Sequence, residues 1–280
     1  MISTMTDIQD PARSPLSGAA LTRQIVRPGG IWGEVSVVAR TGSTNADLVA
    51  GARDGAPEGA VLVAEEQTAG RGRMGRSWLS PPRAALTFSV LLRPTDVPAA
   101  RRGWLPLLAG VAVATAIRQV SALDAALKWP NDVLLRSGKL AGILAEQSGD
   151  AVVVGIGVNV STARHELPAP AASSLPATSL RLEGSSSLDR ELLLGRMLDE
   201  IERWYLAWRG TDLAGDAEAS GLRPAYVRLC STIGRDVRAE LPGRAATSGL
   251  ATGVDGDGRL VVRTAAGDVA IGAGDVRHVR

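Results

Sequence analysis

Residues 104–117 carry no charge and are apolar on nearly every side of a helix. Such a segment has no face for water, so it lies either in a membrane or in the middle of a layered core. Arg118 ends it well short of the ~18–20 residues a membrane span needs. This predicts a buried helix over about 99–120, enclosed by other elements. A chain of 280 residues can build that enclosure, as one large domain or as a main domain with a small appendix. Its 45% hydrophobic against 21% charged residues match ordinary globular usage, so the chain can bury a real core.

Other function classes are narrowed by what surrounds that helix. The N-terminus carries Asp7, Asp10 and two prolines where a secretory signal needs a basic start and an apolar run, so a cytoplasmic protein with no membrane partner is expected. Cys230 is the single cysteine, which excludes an internal disulfide and suits a small buried residue. Thirty-one basic against 29 acidic residues are too even for a general nucleic-acid binder, so any basic patch is local. His165 and His278 are the two histidines, they stand far apart, and no metal site is expected.

Along the chain, residues 1–30 are rich in Pro, Ser and Gly and read as a mobile tail with no helix-turn-helix pattern. Residues 31–230 alternate strand and helix patterns. A strand at 35–39 precedes a helix over 44–53, with Ser43 or Thr44 as its cap and Asp47 three residues on. Strands follow at 60–67 and 86–94, and three or four more at 126–159, with Gly149 and Asp150 as a hairpin signal. Residues 161–178 form a long loop. Over 188–210, Leu193, Met197, Leu198, Ile201 and Trp204 recur at helical spacing. From 231 to 280 the texture changes to short strands with Gly/Asp turns, a small β domain of roughly 50 residues that needs its neighbour to be stable.

Rare residues mark the chemistry. Of the 31 cationic side chains 29 are arginine, and the two lysines, Lys128 and Lys139, lie close in sequence. A lysine in such a chain points to a place that needs a compact ammonium rather than a planar fork. Asparagine occurs three times, as Asn45, Asn131 and Asn159, each in an unusual segment.

The run from Gly70 to Ser77 satisfies both a dinucleotide glycine pattern and a phosphate-loop pattern with its lysine replaced. Both need a helix to begin here, and Pro81 and Pro82 forbid it. What is left is a flexible loop over 68–83 in which Arg71, Arg73, Arg76 and Arg83 repel one another until an anion joins them.

Taken in order, STN (43–45), EQTAGRGRMGRSW (66–78), LTFSVLLRP (86–94), KWPNDV (128–133), GKLAGILAE (138–146) and VVGIGVNV (153–160) resemble the biotin protein ligase family. The resemblance covers about 32–209 and extends more weakly through the C-terminal β domain. It implies an α+β chain: a class II aminoacyl-tRNA synthetase-like mixed-sheet catalytic domain and a small C-terminal SH3-like β-barrel domain. It implies that biotin reacts with ATP and Mg²⁺ to give biotinyl-5′-AMP and pyrophosphate, and that biotin then passes to a lysine of a biotin carboxyl carrier protein.

Carried onto these residues, Ser43, Thr44, Asn45 and Gln67 would meet biotin's ureido end. Gly70, Arg71, Arg73, Lys139, Gly142 and Ile143 would complete its pocket. Arg71, Arg73, Arg76, Trp78, Asn131, Lys139, Gly157 and Asn159 would hold ATP or the adenylate, and Gly155 would admit ligand to the strand. Arg73, Lys128, Asp132 and Lys139 would act in catalysis, Asp132 as partner of the incoming amine. Lacking the winged helix that many relatives carry, the sequence reads as a monofunctional ligase, a monomer or weak homodimer, with no DNA partner. A lipoate or octanoyl ligase on the same fold and a non-catalytic biotin-binding regulator are the alternatives.

Overall fold

The computed structural model describes residues 13–136, 138–169, 175–210, 214–240 and 245–279. A short helix α1 (Gly18–Ile25) leads to β1 (Val35–Val38), α2 (Thr44–Arg53), β2 (Val61–Ala64) and β3 (Ala85–Leu92). Then come α3 (Trp104–Ser121), β4 (Ala125–Lys128), β5 (Asp132–Leu135), β6 (Gly138–Ser148), β7 (Ala151–Asn159), α4 (Arg190–Arg209) and α5 (Leu222–Leu229). The C-terminal strands are β8 (Asp236–Glu240), β9 (Thr247–Val254), β10 (Leu260–Thr264), β11 (Gly267–Ile271) and β12 (Asp275–His278).

The first seven strands form one mixed sheet in the order β1-β2-β3-β7-β6-β5-β4, parallel only between β1 and β2. The last five form a separate antiparallel sheet in the order β11-β10-β9-β8-β12. The chain is therefore α+β, with a large mixed sheet and a C-terminal β domain.

Strand alternation assigns the two faces of the large sheet to different work. Leu86, Phe88, Val90 and Leu92 of β3, with Val152, Val154, Ile156 and Val158 of β7, join the main core beneath α3 and α4. That core encloses α3, which extends through Ser121; with the turn before it, its 23 residues reach membrane-span length by composition, yet most of them are buried inside the fold. The opposite face carries α2. Leu48 packs there on Leu91, Ala151 and Val153, and beyond that small cluster the face thins to Ser89, Gly142, Gly155 and Gly157. A hollow at one end of α2 is the result.

The C-terminal sheet is not an independent body. Its Val237, Ala239, Ala251 and Leu260 join the same core. Trp104 Nε1 donates to Gly256 O at 3.0 Å, and Trp129 Nε1 to Gly258 O at 3.2 Å.

The expected mobile tail needs correcting from residue 13 onward; residues 1–12 lie outside the described residues. Ser17 caps α1, accepting from Ala20 N at 3.2 Å, and Leu21 and Ile25, one turn apart, are fully buried. Arg13 binds both Glu166 oxygens, and Leu16 N donates to Glu65 Oε1 at 2.6 Å. A helix of eight residues is too short to show a sustained apolar period, and its stability comes from docking on β1 and α4 rather than from propensity. Residues 170–174 of the expected long loop also lie outside the described residues.

Candidate active site

The hollow is a cavity of about 110 Å³ between the start of α2, the glycine-arginine loop and the small-residue face of β6 and β7. Its floor follows from register. Gly142 sits opposite Gly157, and Gly155 lies two residues along the same face. A Cβ on Gly155 would stand 1.9 Å from Asn45 Oδ1, and one on Gly157 2.4 Å from Trp78 Cε2. Only glycine permits those approaches.

One wall is the first turn of α2, where Ser43 caps by accepting from Ala46 N at 3.5 Å. Thr44 N donates to Gln67 Oε1 at 2.8 Å, which satisfies one of the free amides of the helix start. Ser89 Oγ lies 2.7 Å from Thr44 Oγ1 and 2.6 Å from Asn45 Oδ1. Asn45 Nδ2 donates to Leu144 O at 3.2 Å and to Glu146 Oε2 at 2.8 Å. These groups, most of them buried, form one continuous polar chain.

The loop roofs the cavity as a narrow tongue. Gly72 N donates to Arg76 O at 2.6 Å, Trp78 N to Gly70 O at 2.8 Å, and Arg71 bridges Ser77. At its tip Met74 (φ 55°) and Gly75 (φ 73°) take successive left-handed conformations, the geometry of a tight hairpin turn. No α-helix starts here, so neither nucleotide-loop pattern has the helix it requires. The indole of Trp78 lies over Gly142 and Gly157, and its buried Nε1 has no hydrogen-bond partner among the described residues.

Charge is concentrated at the mouth. Lys139 Nζ stands 2.6 Å from Asp132 Oδ1, and Lys128 is the register partner of Asp132 across β4 and β5. Burial holds the Lys128 ammonium below its ordinary pKa, with Lys139 and Arg76 adding to the effect and Asp132 and Asp275 opposing it. Burial, then Arg76, lowers Arg73 in the same way. Half-buried cations gathered in this way favour an anion. Arg76 Nη2 reaches Asp275 Oδ1 of the C-terminal sheet at 3.6 Å, and Arg71 Nη1 reaches Glu146 Oε1 at 3.6 Å.

Of the residues expected at a site, Ser43, Thr44, Asn45, Gln67, Arg71, Arg73 and Arg76 line the cavity, with Trp78, Asn131, Lys139, Gly142, Ile143, Gly155 and Gly157. Four others do not line it. Gly70 forms the base of the tongue, Lys128 and Asp132 stand beside Lys139, and Asn159 donates to Thr178 O at 2.9 Å. That bond holds the segment whose Pro176 and Thr178 flank the Lys139 backbone. Ser89, Glu146 and Asp275 were not anticipated. A serine inside the apolar strand 85–92 was a readable signal for the first; the other two arrive from distant sequence.

The biotin/lipoate A/B protein ligase family model matches residues 37–162, and the biotin protein ligase C terminal domain matches 232–279. The biotin–[acetyl-CoA-carboxylase] ligase of Mycobacterium tuberculosis is 44% identical over 99% of this chain and 100% of its own. This chain belongs to the biotin protein ligase family. Among solved structures, the R40G mutant of the Aquifex aeolicus biotin protein ligase in complex with biotin is 27% identical with a TM-score of 0.73, covering 88% of this chain and 99% of that one. The Aquifex aeolicus enzyme in complex with biotin and ATP is 26% identical, with a TM-score of 0.67 and the same coverage. The likeness to these enzymes extends over 88% of this chain.

Proposed function

We propose that this chain joins biotin to ATP, forming biotinyl-5′-AMP and pyrophosphate, and then transfers biotin to a lysine of a biotin carboxyl carrier protein. The observation that carries the reading is the crowding of Arg71, Arg73, Arg76, Lys128 and Lys139 around one small-floored cavity. The first step brings a carboxylate against a triphosphate: a carboxylate oxygen bonds to the α-phosphorus and pyrophosphate leaves. Fixed cations offset that repulsion and the charge that develops with it. In the second step the carrier's amine attacks the acyl carbon, AMP departs, and the amine's proton goes to a base, a role that suits Asp132 beside Lys139.

In this reading Ser43, Thr44 and Gln67 present hydroxyl and amide groups to the ureido ring, and Gly142 and Ile143 supply a close backbone and an apolar wall. Trp78 packs on the adenine. The cavity of about 110 Å³ is below the ~300 Å³ at the lower end of ligand pockets, so Trp78 and the tongue move to admit both substrates. Among the described residues no three His, Cys, Asp or Glu side chains gather as a metal site, so Mg²⁺ is taken to arrive on the triphosphate of ATP. The reading includes a cytoplasmic enzyme, a monomer or weak homodimer, acting without DNA.

The test is pyrophosphate release from MgATP with biotin, octanoate or lipoate, in wild type and Lys139→Ala, with a carrier domain added afterwards. Biotin-dependent release followed by carrier labelling, both lost in the variant, is the expected result. Release with lipoate alone moves the chain to the sister activity, and silence with all three leaves a non-catalytic binder.

A further inference from the structure

Glu146 has no place in the chemistry just described, yet it is the point where the two halves of the site meet. One carboxylate oxygen accepts from Asn45 Nδ2 at 2.8 Å, and the other faces Arg71 Nη1 at 3.6 Å. Asn45 is buried, and its amide is fully committed: Oδ1 to Ser89, Nδ2 to Leu144 O and Glu146. Through Ser89 and Thr44 the same chain reaches Gln67, immediately before the tongue. The tongue is therefore tied to one polar network twice, at its root through Gln67 and at Arg71 through Glu146. A second cavity, lined by Arg53, Arg71, Glu146 and Gln147 among others, shares Arg71 with the first, so Arg71 stands between the two hollows with Glu146 beside it.

From this geometry we infer that Glu146 is a positioning residue: it holds Arg71 over the biotin pocket and couples the closing of the tongue to the order of the 43–45 turn. The inference rests on the reading of the cavity as the biotin site. The pair is half-exposed and long, so it holds the tongue weakly and lets it open; Arg53 lines the same second cavity. A neutral acceptor here would still satisfy the Asn45 amide but leave Arg71 without its counter-charge.

The experiment is a double-mutant cycle of Glu146→Gln and Arg71→Ala, read in two ways. Hydrogen exchange of the 68–78 backbone is measured on the protein alone, and KM and kcat for biotin are measured by pyrophosphate release. Glu146→Gln is expected to speed exchange of the tongue and raise KM for biotin by about three- to fivefold, with kcat within about twofold and thermal stability unchanged. In the Arg71→Ala background the same substitution is expected to do nothing further. Effects that add independently of Arg71, or an unchanged KM and exchange, overturn the role of Glu146 while leaving the ligase intact. A wild type that releases no pyrophosphate with biotin overturns the ligase reading and this inference with it.

Discussion

A hollow in a close-packed sheet needs positions without side chains, and here Gly142, Gly155 and Gly157 supply them on one face of paired strands. Gly155 is the most demanding, since a methyl group there would sit 1.9 Å from Asn45 Oδ1. Asn45 cannot simply retreat: Ser89, Leu144 and Glu146 hold it on three sides. Gly155→Ala is therefore expected to cost about 1–3 kcal/mol, the usual range for overpacking, and to raise KM for biotin more than tenfold by displacing the 43–45 turn. Thermal melting and pyrophosphate release check it, and a variant that melts and binds like wild type would show that the Asn45 contact is not built this way. At this scale the site was largely readable. Lys139, Asn45 and Asn131 drew notice because their residue types are scarce, and scarcity needs no knowledge of the fold. Glu146 was unreadable because glutamate is common in the chain, and its partner Asn45 is 101 residues away.

Elements with a sustained period were legible, while short ones that depend on their neighbours were not. Helix α2 spans the expected 44–53, whereas α1 and α5, eight residues each, emerge only from packing. Strand β12 shows what such dependence does to function. It carries Asp275 to Arg76 and His278 to Thr232, with Nε2 3.1 Å from Thr232 Oγ1. Burial, then Lys128 and Arg235, push the His278 pKa down to about 4. An unfolded histidine titrates near ~6.5, so as pH falls below that value the unfolded chain takes up a proton that the folded chain refuses. The stabilising contribution is whole above pH ~6.5, declines as pH drops toward the folded value, and changes no further below it. Urea midpoints of wild type and His278→Gln between pH 7 and 4 test this: the variant is expected to lose stability with a shallower slope. Parallel slopes would mean that the folded chain does not hold His278 below its ordinary pKa.

Seen as a whole molecule, an enzyme that makes an acyl-adenylate is exposed to its own product, because any accessible primary amine can take the acyl group. Among side chains this chain offers two, Lys128 and Lys139. Lys139 is paired with Asp132 at 2.6 Å, and Lys128 is partly buried in the cationic cluster beside them. Everywhere else the positive charge is carried by 29 arginines, whose guanidinium stays protonated and is not acylated under these conditions. The surface therefore keeps its charge while presenting no lysine outside the site. Incubation with biotin and MgATP is expected to leave the protein without a stable side-chain adduct in intact-mass spectra. Arg53 is exposed on the second cavity, and Arg40 is exposed and pairs with Glu66, next to Gln67 of the site, so Arg53→Lys and Arg40→Lys restore amines within reach of released adenylate. Each variant is expected to gain biotin at the new lysine, identified by peptide mapping. Stoichiometric labelling of wild-type Lys128 or Lys139 would sink the idea. So would variants that stay unlabelled at the new lysines, since the missing lysines would then be protecting nothing.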